Sequence, residues 1–435
     1  AEINILNESA AISKLNSNLT VNMTTLEAIT DELANKNTVY INDVLSYLEF
    51  KSFTDYVIEN YSGTLNYNNT SGNGTFLTNL IIKGSNVTIG TVNTPYVNII
   101  ISVEDSSLNH SGSVDIIGTV RGKNILVRAV NTDSHALEII DNDLSDEDDD
   151  YSLEGSLFDI VSDVAINIGP NGKLIADQTV SLEALSEQTK PLIPTLEDLL
   201  KHFGPEYEDT LDINFVAVKV GSAIIDIQGV INAAAIRAIA NSLVNVSAMN
   251  DNLAKFGMPL AVGVVVSEAG ITARDHAQLI STAGGIYLKA DSDVTLATHA
   301  VSGVLPFVLA VSAVVNDAYV DIKGNSVIDS KGDTTVSAYG WTNITTSASG
   351  PKATTGTGSS GSTGSGSTGQ KTPGNSGGFF AVSVAVQNVF AAIRESASAN
   401  AGGNLTLNSV ARERVKNEAT SNPDDGGTSF TLENL

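Results

Sequence analysis

The sequence predicts an all-β fold wound as a solenoid of the β-helix kind, and three observations lead there. Small and β-branched residues abound in a chain that is 42% hydrophobic and only 17% charged, a composition that suits covered, pleated strands rather than disorder. Four segments open on Ala-Val and then alternate: AVKVGSA from Ala217, AVGVVVSEAG from Ala261, AVSAVVNDAY from Ala310 and AVSVAVQNVF from Ala381. A second pattern, a turn followed by a short half-buried strand, recurs as NILVRA ending at Ala129, TVSLEA at Ala184, LVNVSA at Ala248, GIYLKA at Ala290, TTVSA at Ala338 and NLTLNS at Ser409.

The intervals between those closing residues are 55, 64, 42, 48 and 71. The two shortest fit the period of stacked repeats, about 20–50 residues, and leave room for two coils of several short strands each. In the Ala381 copy, Ala381, Ser383 and Ala385 lie on one face and Val382, Val384 and Val386 on the other. Hydropathy assigns the valines to the core, and the small residues opposite suggest that a second layer covers these strands.

Taken from the N-terminus, residues 1–60 carry apolar residues at helical spacing (Ile12, Leu15, Leu19, then Leu26, Ile29, Leu33) and read as a mixed helical region or cap. Residues 61–160 read as irregular solenoid coils with an acidic loop, DNDLSDEDDDY, at 141–151. Its carboxylates invite Ca²⁺, but the Asp-x-Asp-x-Asp-Gly spacing with a closing Glu is missing, so a solvated, self-repelling loop is the expectation. Residues 161–435 read as the repetitive solenoid, with insertions 186–212, 250–259 and 350–378 at one phase of the unit. The first holds a candidate helix from Thr195 as N-cap to Gly204 as stop, with Leu196, Leu199, Leu200 and Phe203 on one face. The third is a Gly/Ser/Thr tract that opens and closes within one period, which reads as a loop rather than a domain linker.

The repeated run AVSVAVQN…AGGNLTLNS, together with the Gly/Ser-rich insertions, resembles the repeats of large secreted bacterial exoproteins of the filamentous haemagglutinin-like and leukotoxin-type adhesins, from about Val161 to the end. The resemblance implies a right-handed parallel β-helix, extracellular or on the cell surface, acting as a stalk or an adhesive surface. Its partner would be a protein or glycan of a host or neighbouring cell. The helix-bearing insertion and the helical N-terminal region depart from the regular repeat of that family.

Charge and motifs narrow the function further. A formal net charge of −26 argues against a nucleic-acid backbone or an anionic membrane as partner. The longest uncharged apolar run, Val301–Val315, is shorter than the roughly 20 residues of a spanning helix and is broken by Pro306, so it reads as a pair of strands. Without cysteine there are neither disulfides nor thiolate metal sites. The start at AEINIL, without a leader pattern, reads as a mature product or an excised fragment. Asn-x-Ser/Thr triplets, as at Asn69, Asn73, Asn86 and Asn343, are expected by chance in such a composition.

The sequence assigns no residues to catalysis, cofactor or metal. The five histidines (His110, His135, His202, His276, His299) lack metal-ligand spacing, and the triplet Arg274-Asp275-His276 reads as a solvated turn. Parallel β-helices also include polysaccharide lyases and glycosidases, so the carboxylates Asp291 and Asp293, on one face of a strand by parity, and Asp321, Asp329 and Asp333 in the next unit, carry the alternative of an enzyme. A self-assembling filament or surface-layer subunit, joined end to end, is the other alternative.

Overall fold

The computed structural model describes residues 2–3, 38–39, 55–59, 63–68, 79–105, 110–132, 152–189, 212–252, 260–302, 307–350, 378–421 and 429–434. They form strands and turns, with no helix among them. A small parallel pair joins β1 (Glu2–Ile3) and β2 (Thr38–Val39). Early coils follow: β3 (Asp55–Glu59), β4 (Thr64–Asn68), β5 (Asn79–Gly84), β6 (Asn86–Asn93), β7 (Asn98–Asp105), β8 (His110–Ile116), β9 (Thr119–Gly122) and β10 (Ile125–Thr132).

Thereafter every coil has one plan: a long strand, a four-residue strand and a second long strand. The sets are β11 (Ser152–Ile168), β12 (Lys173–Ala176), β13 (Thr179–Gln188); β14 (Asp212–Ile227), β15 (Val230–Ala233), β16 (Ala235–Asn252); β17 (Leu260–Ala273), β18 (Gln278–Ser281), β19 (Ile286–Ser302); β20 (Phe307–Ile322), β21 (Val327–Ser330), β22 (Thr334–Gly350); and β23 (Gly378–Ile393), β24 (Ser398–Ala401), β25 (Leu405–Ser421). The second long strands stack into a 10-stranded sheet, while the first long strands and the short strands share a 14-stranded sheet that turns back on itself at β6. Pairing is parallel from coil to coil, as a solenoid requires; only β26 (Ser429–Asn434), among the described strands, pairs antiparallel, on β25. The fold is the parallel β-solenoid expected from the repeats.

Because coils stack in register, equivalent residues form columns. At the short-strand end Val114, Ile166, Ile225, Ile271 and Val320 make one buried column, and Val120, Leu174, Ile231, Leu279 and Ile328 another. Full burial of each such side chain is worth about 1.5–3 kcal/mol relative to exposure. Away from the short strands, the two long sheets face each other directly.

In that half the structure reverses the sequence-based choice of core face. Ala310, Ser312 and Val314 of β20 are buried between the sheets, whereas Val315 on the outer side is 37% exposed. On the last coil Val382, Val384 and Val386 also face outward, 46–54% exposed. The reason is close approach: a Cβ at Gly263 would come within 2.6 Å of Leu296 of the opposite sheet. Small residues of these strands therefore go inside, against larger ones such as Leu296 and Ile344 of the facing sheet, and the second layer expected to cover these strands is absent among the described residues.

Two sequence alignments also shift. Ala261, Ala310 and Ala381 do share a column, but Ala217 pairs with Gly263, two positions along. Ala129, Ala184, Ala290, Ala338 and Ser409 share a column as well, yet the member from β16 is Ala240, not Ala248. With Ala240 in its place, the column advances once per set of three strands, so the repeat is one coil of long strands rather than two coils of short ones. Both shifts are even, so inside and outside are preserved.

The first insertion starts later than the sequence suggests, because β13 runs to Gln188; likewise β16 runs to Asn252. Apart from β1 to β3, the region 1–60 lies outside the described residues, as do the helix expected from Thr195, the acidic loop 141–151 and the tract 351–377. The strands flanking that tract belong to one stack, since β22 pairs with β25 and β23 with β20.

A polar seam runs through the small-residue half. Ser242, Ser267 and Ser292, all fully buried, pass hydrogen bonds from coil to coil at 2.8 and 2.7 Å, and Asn316 Nδ2 continues the row by donating to Thr342 Oγ1 at 2.8 Å. Ser242 keeps a second partner in the Gly221 carbonyl oxygen at 3.2 Å, so deletion of the middle hydroxyl takes the seam partner from the buried Ser292. Ser267→Ala should lower stability by about 1–3 kcal/mol, read as a reduced midpoint in urea unfolding.

Candidate binding groove

On the outer face of the 10-stranded sheet, three strands bring together side chains that lie far apart in sequence. Strand parity points Lys289, Asp291 and Asp293 of β19 outward, and in the next coil the same parity presents Tyr339 and Trp341. Register sets Asp291 beside Tyr339 beside Val410, and Asp293 beside Trp341 beside Arg412. Lys289, Asp291, Tyr339, Trp341, Val410 and Arg412 line an open groove of about 370 Å³, at the lower end of the range of ligand clefts. Between the two aromatic residues Gly340 points inward, where a Cβ would meet Val389 at 2.4 Å. This glycine lets β22 lie close to β23 while its neighbours stand out as platforms.

The polar groups are ordered by one another. Lys289 Nζ is 2.7 Å from Asp291 Oδ2 and 5.1 Å from the centre of the Tyr339 ring, a cation–π position. Asn408 Nδ2 donates to the Tyr339 hydroxyl at 3.0 Å. Burial pulls the Lys289 pKa down, but the hydrogen bond and charge of Asp291, helped by Tyr287 and Tyr339, outweigh it and leave the ammonium above its ordinary range. Burial, and then the charge of Asp291, pushes the Asp293 carboxyl up. Asp291 thus holds the ammonium of Lys289, and Asp293, beside that carboxylate, holds its proton more tightly than an ordinary aspartate.

The remaining carboxylates singled out from sequence do not join them. Asp321, 2% exposed, accepts Arg394 Nε and Nη2, each at 2.7 Å, and Lys323 Nζ at 2.9 Å. Asp329 accepts Asn400 Nδ2 at 3.0 Å, and Asp333 accepts the Asn404 amide at 2.7 Å. These are ties between consecutive coils.

Arg274-Asp275-His276 is likewise a turn that ties coils. Asp275 (φ 56°) and His276 (φ 75°) occupy the left-handed region, as do Gly324 and Asn325 in the next coil and Glu395 and Ser396 in the one after. Arg274 Nε and Nη2 grip both oxygens of Asp226 in the preceding coil at 2.9 and 2.8 Å, while Nη1 reaches Asp275 at 2.7 Å. His299 pairs with Ser347 in the neighbouring strand. His135 and His202 lie outside the described residues, and among those described no three His, Cys, Asp or Glu form a metal-binding group.

Sequence reasoning missed Lys289, Tyr339, Trp341 and Arg412 as a group. The available signal was the triplet Tyr-Gly-Trp at 339–341 in a strand of otherwise small residues. Its partners come from the coil before and the coil after, at unequal offsets that only the register reveals.

Compared with family models, curated proteins and solved structures, the chain finds no match.

Proposed function

We propose that this chain is a non-catalytic, extracellular β-solenoid segment of a bacterial surface or secreted adhesin, a stalk that also offers a binding surface to a protein or glycan of another cell. The observation that carries the reading is the parallel stacking of coils into two long sheets, a stiff scaffold whose outer face bears a groove of aromatic and charged side chains. In a stack of this kind each coil holds its neighbours, so side chains from three coils keep a fixed geometry. The test is retention of the fluorescently labelled chain on intact host and bacterial cells. Saturable binding that unlabelled chain competes away is expected, and no retention on any cell type would remove the proposal.

A second reading, a carbohydrate-active enzyme, is favoured by one observation. Asp291 and Asp293 stand two positions apart on one strand face, about 6.6 Å by the strand rise, and burial, with the charge of Asp291, raises the proton affinity of Asp293. Carboxylate pairs that hydrolyse glycosides work at comparable separations, about 5–9.5 Å. Incubation with a panel of acidic and neutral polysaccharides separates the readings: reproducible release of new reducing or unsaturated ends, abolished in Asp293→Asn, would establish the enzyme.

A further inference from the structure

We infer that the groove lined by Lys289, Asp291, Tyr339, Trp341 and Arg412, with Asp293 beside Trp341 on the neighbouring strand, is a saccharide-binding site, with a pyranose ring seated against Trp341 and Tyr339. The inference rests on the reading of the chain as a binding surface and names the ligand that this surface takes.

The argument begins with what the groove cannot offer. It lies on the face of a sheet, where β22 is paired on one side with β19 and on the other with β25, so the backbone at the centre of the groove is spent within the sheet. A peptide that recognises backbone by adding a strand needs a free edge, which β19 and β22 lack; β25 meets β26 only from Val415 onward, and a strand added to its edge before that point would lie beside the groove rather than in it. Within the groove, recognition falls to side chains. Those side chains are two aromatic rings, an ion-paired Lys289–Asp291 couple, the carboxyl of Asp293 and the guanidinium of Arg412.

That set matches the two surfaces of a sugar. A pyranose presents an apolar face of C–H groups, which needs a flat ring to cover it, and an edge of hydroxyls that each donate and accept. Trp and Tyr provide large, rigid platforms at small entropic cost. Carboxylate and guanidinium provide two-pronged acceptors and donors at the rim. Lys289 lies over the Tyr339 ring and is bonded to Asp291, and Asn408 holds the Tyr339 hydroxyl, so the polar rim is ordered before a ligand arrives. The groove also sits apart from the general acidity of the chain: Lys289 and Arg412 balance Asp291 and Asp293, so neither a polyanion nor a polycation is favoured over a hydroxyl-rich ligand. Arg412 additionally suits the carboxylate of a uronic acid, and the two sugar types are separate arms of the test.

The protein carries its own probe, because Trp341 is its sole tryptophan. Indole emission of the full chain is titrated with neutral hexose oligosaccharides in one arm and uronate-containing oligosaccharides in the other. A saturable change in emission is expected in at least one arm, and Tyr339→Ala and Arg412→Ala, which leave the fluorophore in place, should each weaken it by about tenfold. Glu268→Gln, on the other sheet, should leave the titration unchanged. Failure of every oligosaccharide to move the emission, or a response indifferent to both groove substitutions, overturns the saccharide site. If the labelled chain still binds cells in that event, the ligand class was wrong and the binding-surface reading stands; if cells do not retain it either, that reading has failed by itself.

Discussion

Gly229→Val should be the most damaging single substitution in the stack. Gly229 stands in the turn between β14 and β15, and a Cβ there would lie 2.1 Å from the carbonyl oxygen of Gly172 in the coil before, and 2.6 Å from that of Gly169. No rotation of a flexible side chain relieves this contact, since the obstacle is backbone. The same turn carries the coil-to-coil ladder: Val230 N–H donates to Gly172 O at 2.9 Å, and Gln278 N–H to Gly229 O at 3.0 Å. A branched side chain would have to separate the coils and break those bonds in the middle of the column Leu174–Ile231–Leu279. Forced overpacking costs about 1–3 kcal/mol where a core can adjust, and more is expected here. Because coils stabilise only their neighbours, the damage should also divide the molecule. Thermal unfolding followed by circular dichroism should change from one transition to two, with coils on either side of β15 melting apart. Gly169→Ala is the matched control, because its Cβ would meet nothing nearer than 3.6 Å, an ordinary contact. Equal effects of the two substitutions would refute the close-packing explanation.

The same glycine contacts show how far this fold can be read from its sequence. Alternation is a local property of a strand, so the inside–outside parity of β17, β20 and β23 is visible at once. So is the phase of the insertions, which fall between a strand of the 10-stranded sheet and the next strand of the 14-stranded one. Register is not local. Pattern matching sets Ala217 and Ala248 an even number of positions away from their true columns, and nothing in the alternation objects to an even shift. The choice of core face fails for a different reason. Hydropathy ranks Val above Ala and Ser for burial, but the distance between two stacked sheets decides how large an inward side chain can be. Where the four-residue strands hold the sheets apart, Ile and Val point in from both sides; where the sheets meet directly, Val294, Leu296 and Ile344 of one sheet fill the space, so Ala310, Ser312 and Gly263 of the other face them and Val382, Val384 and Val386 are left outside. The groove needs both kinds of non-local knowledge. Trp341 is conspicuous alone, but only the stacking of three coils of unequal length puts Asp293 and Arg412 on either side of it.

Acidification should first strengthen this protein and then weaken it, and two sets of carboxylates give the two limbs. On the outer face of the 14-stranded sheet, Asp163, Glu268 and Asp317 occupy one column with Ser222 between the first two. Burial, and then the charge of Glu268, pushes the carboxyls of Asp163 and Asp317 up; in the groove, burial and Asp291 do the same to Asp293. A carboxyl whose pKa is higher folded than unfolded binds its proton more tightly in the native state. Stability therefore rises as the pH falls from neutral through those folded values, towards the unfolded value of about 3.9. Asp321 has the opposite sign. Burial alone would raise its pKa, but hydrogen bonds from Arg394 and Lys323, with their charges, more than reverse that and leave it lowered. Its contribution is fully present above about 3.9 and is lost as the pH falls through its folded value. Melting temperatures measured from neutral pH downward should thus pass through a maximum on the acid side. Asp317→Asn should raise the neutral melting temperature and flatten the rising limb. Asp321→Asn should lower the melting temperature at neutral pH, where the carboxylate holds Arg394 across the coil boundary, and reduce the steepness of the final fall. A melting temperature that declines steadily from neutral pH, with Asp317→Asn no more stable than the parent, would show that the stacked carboxylates are relieved by solvent and do not strain the fold.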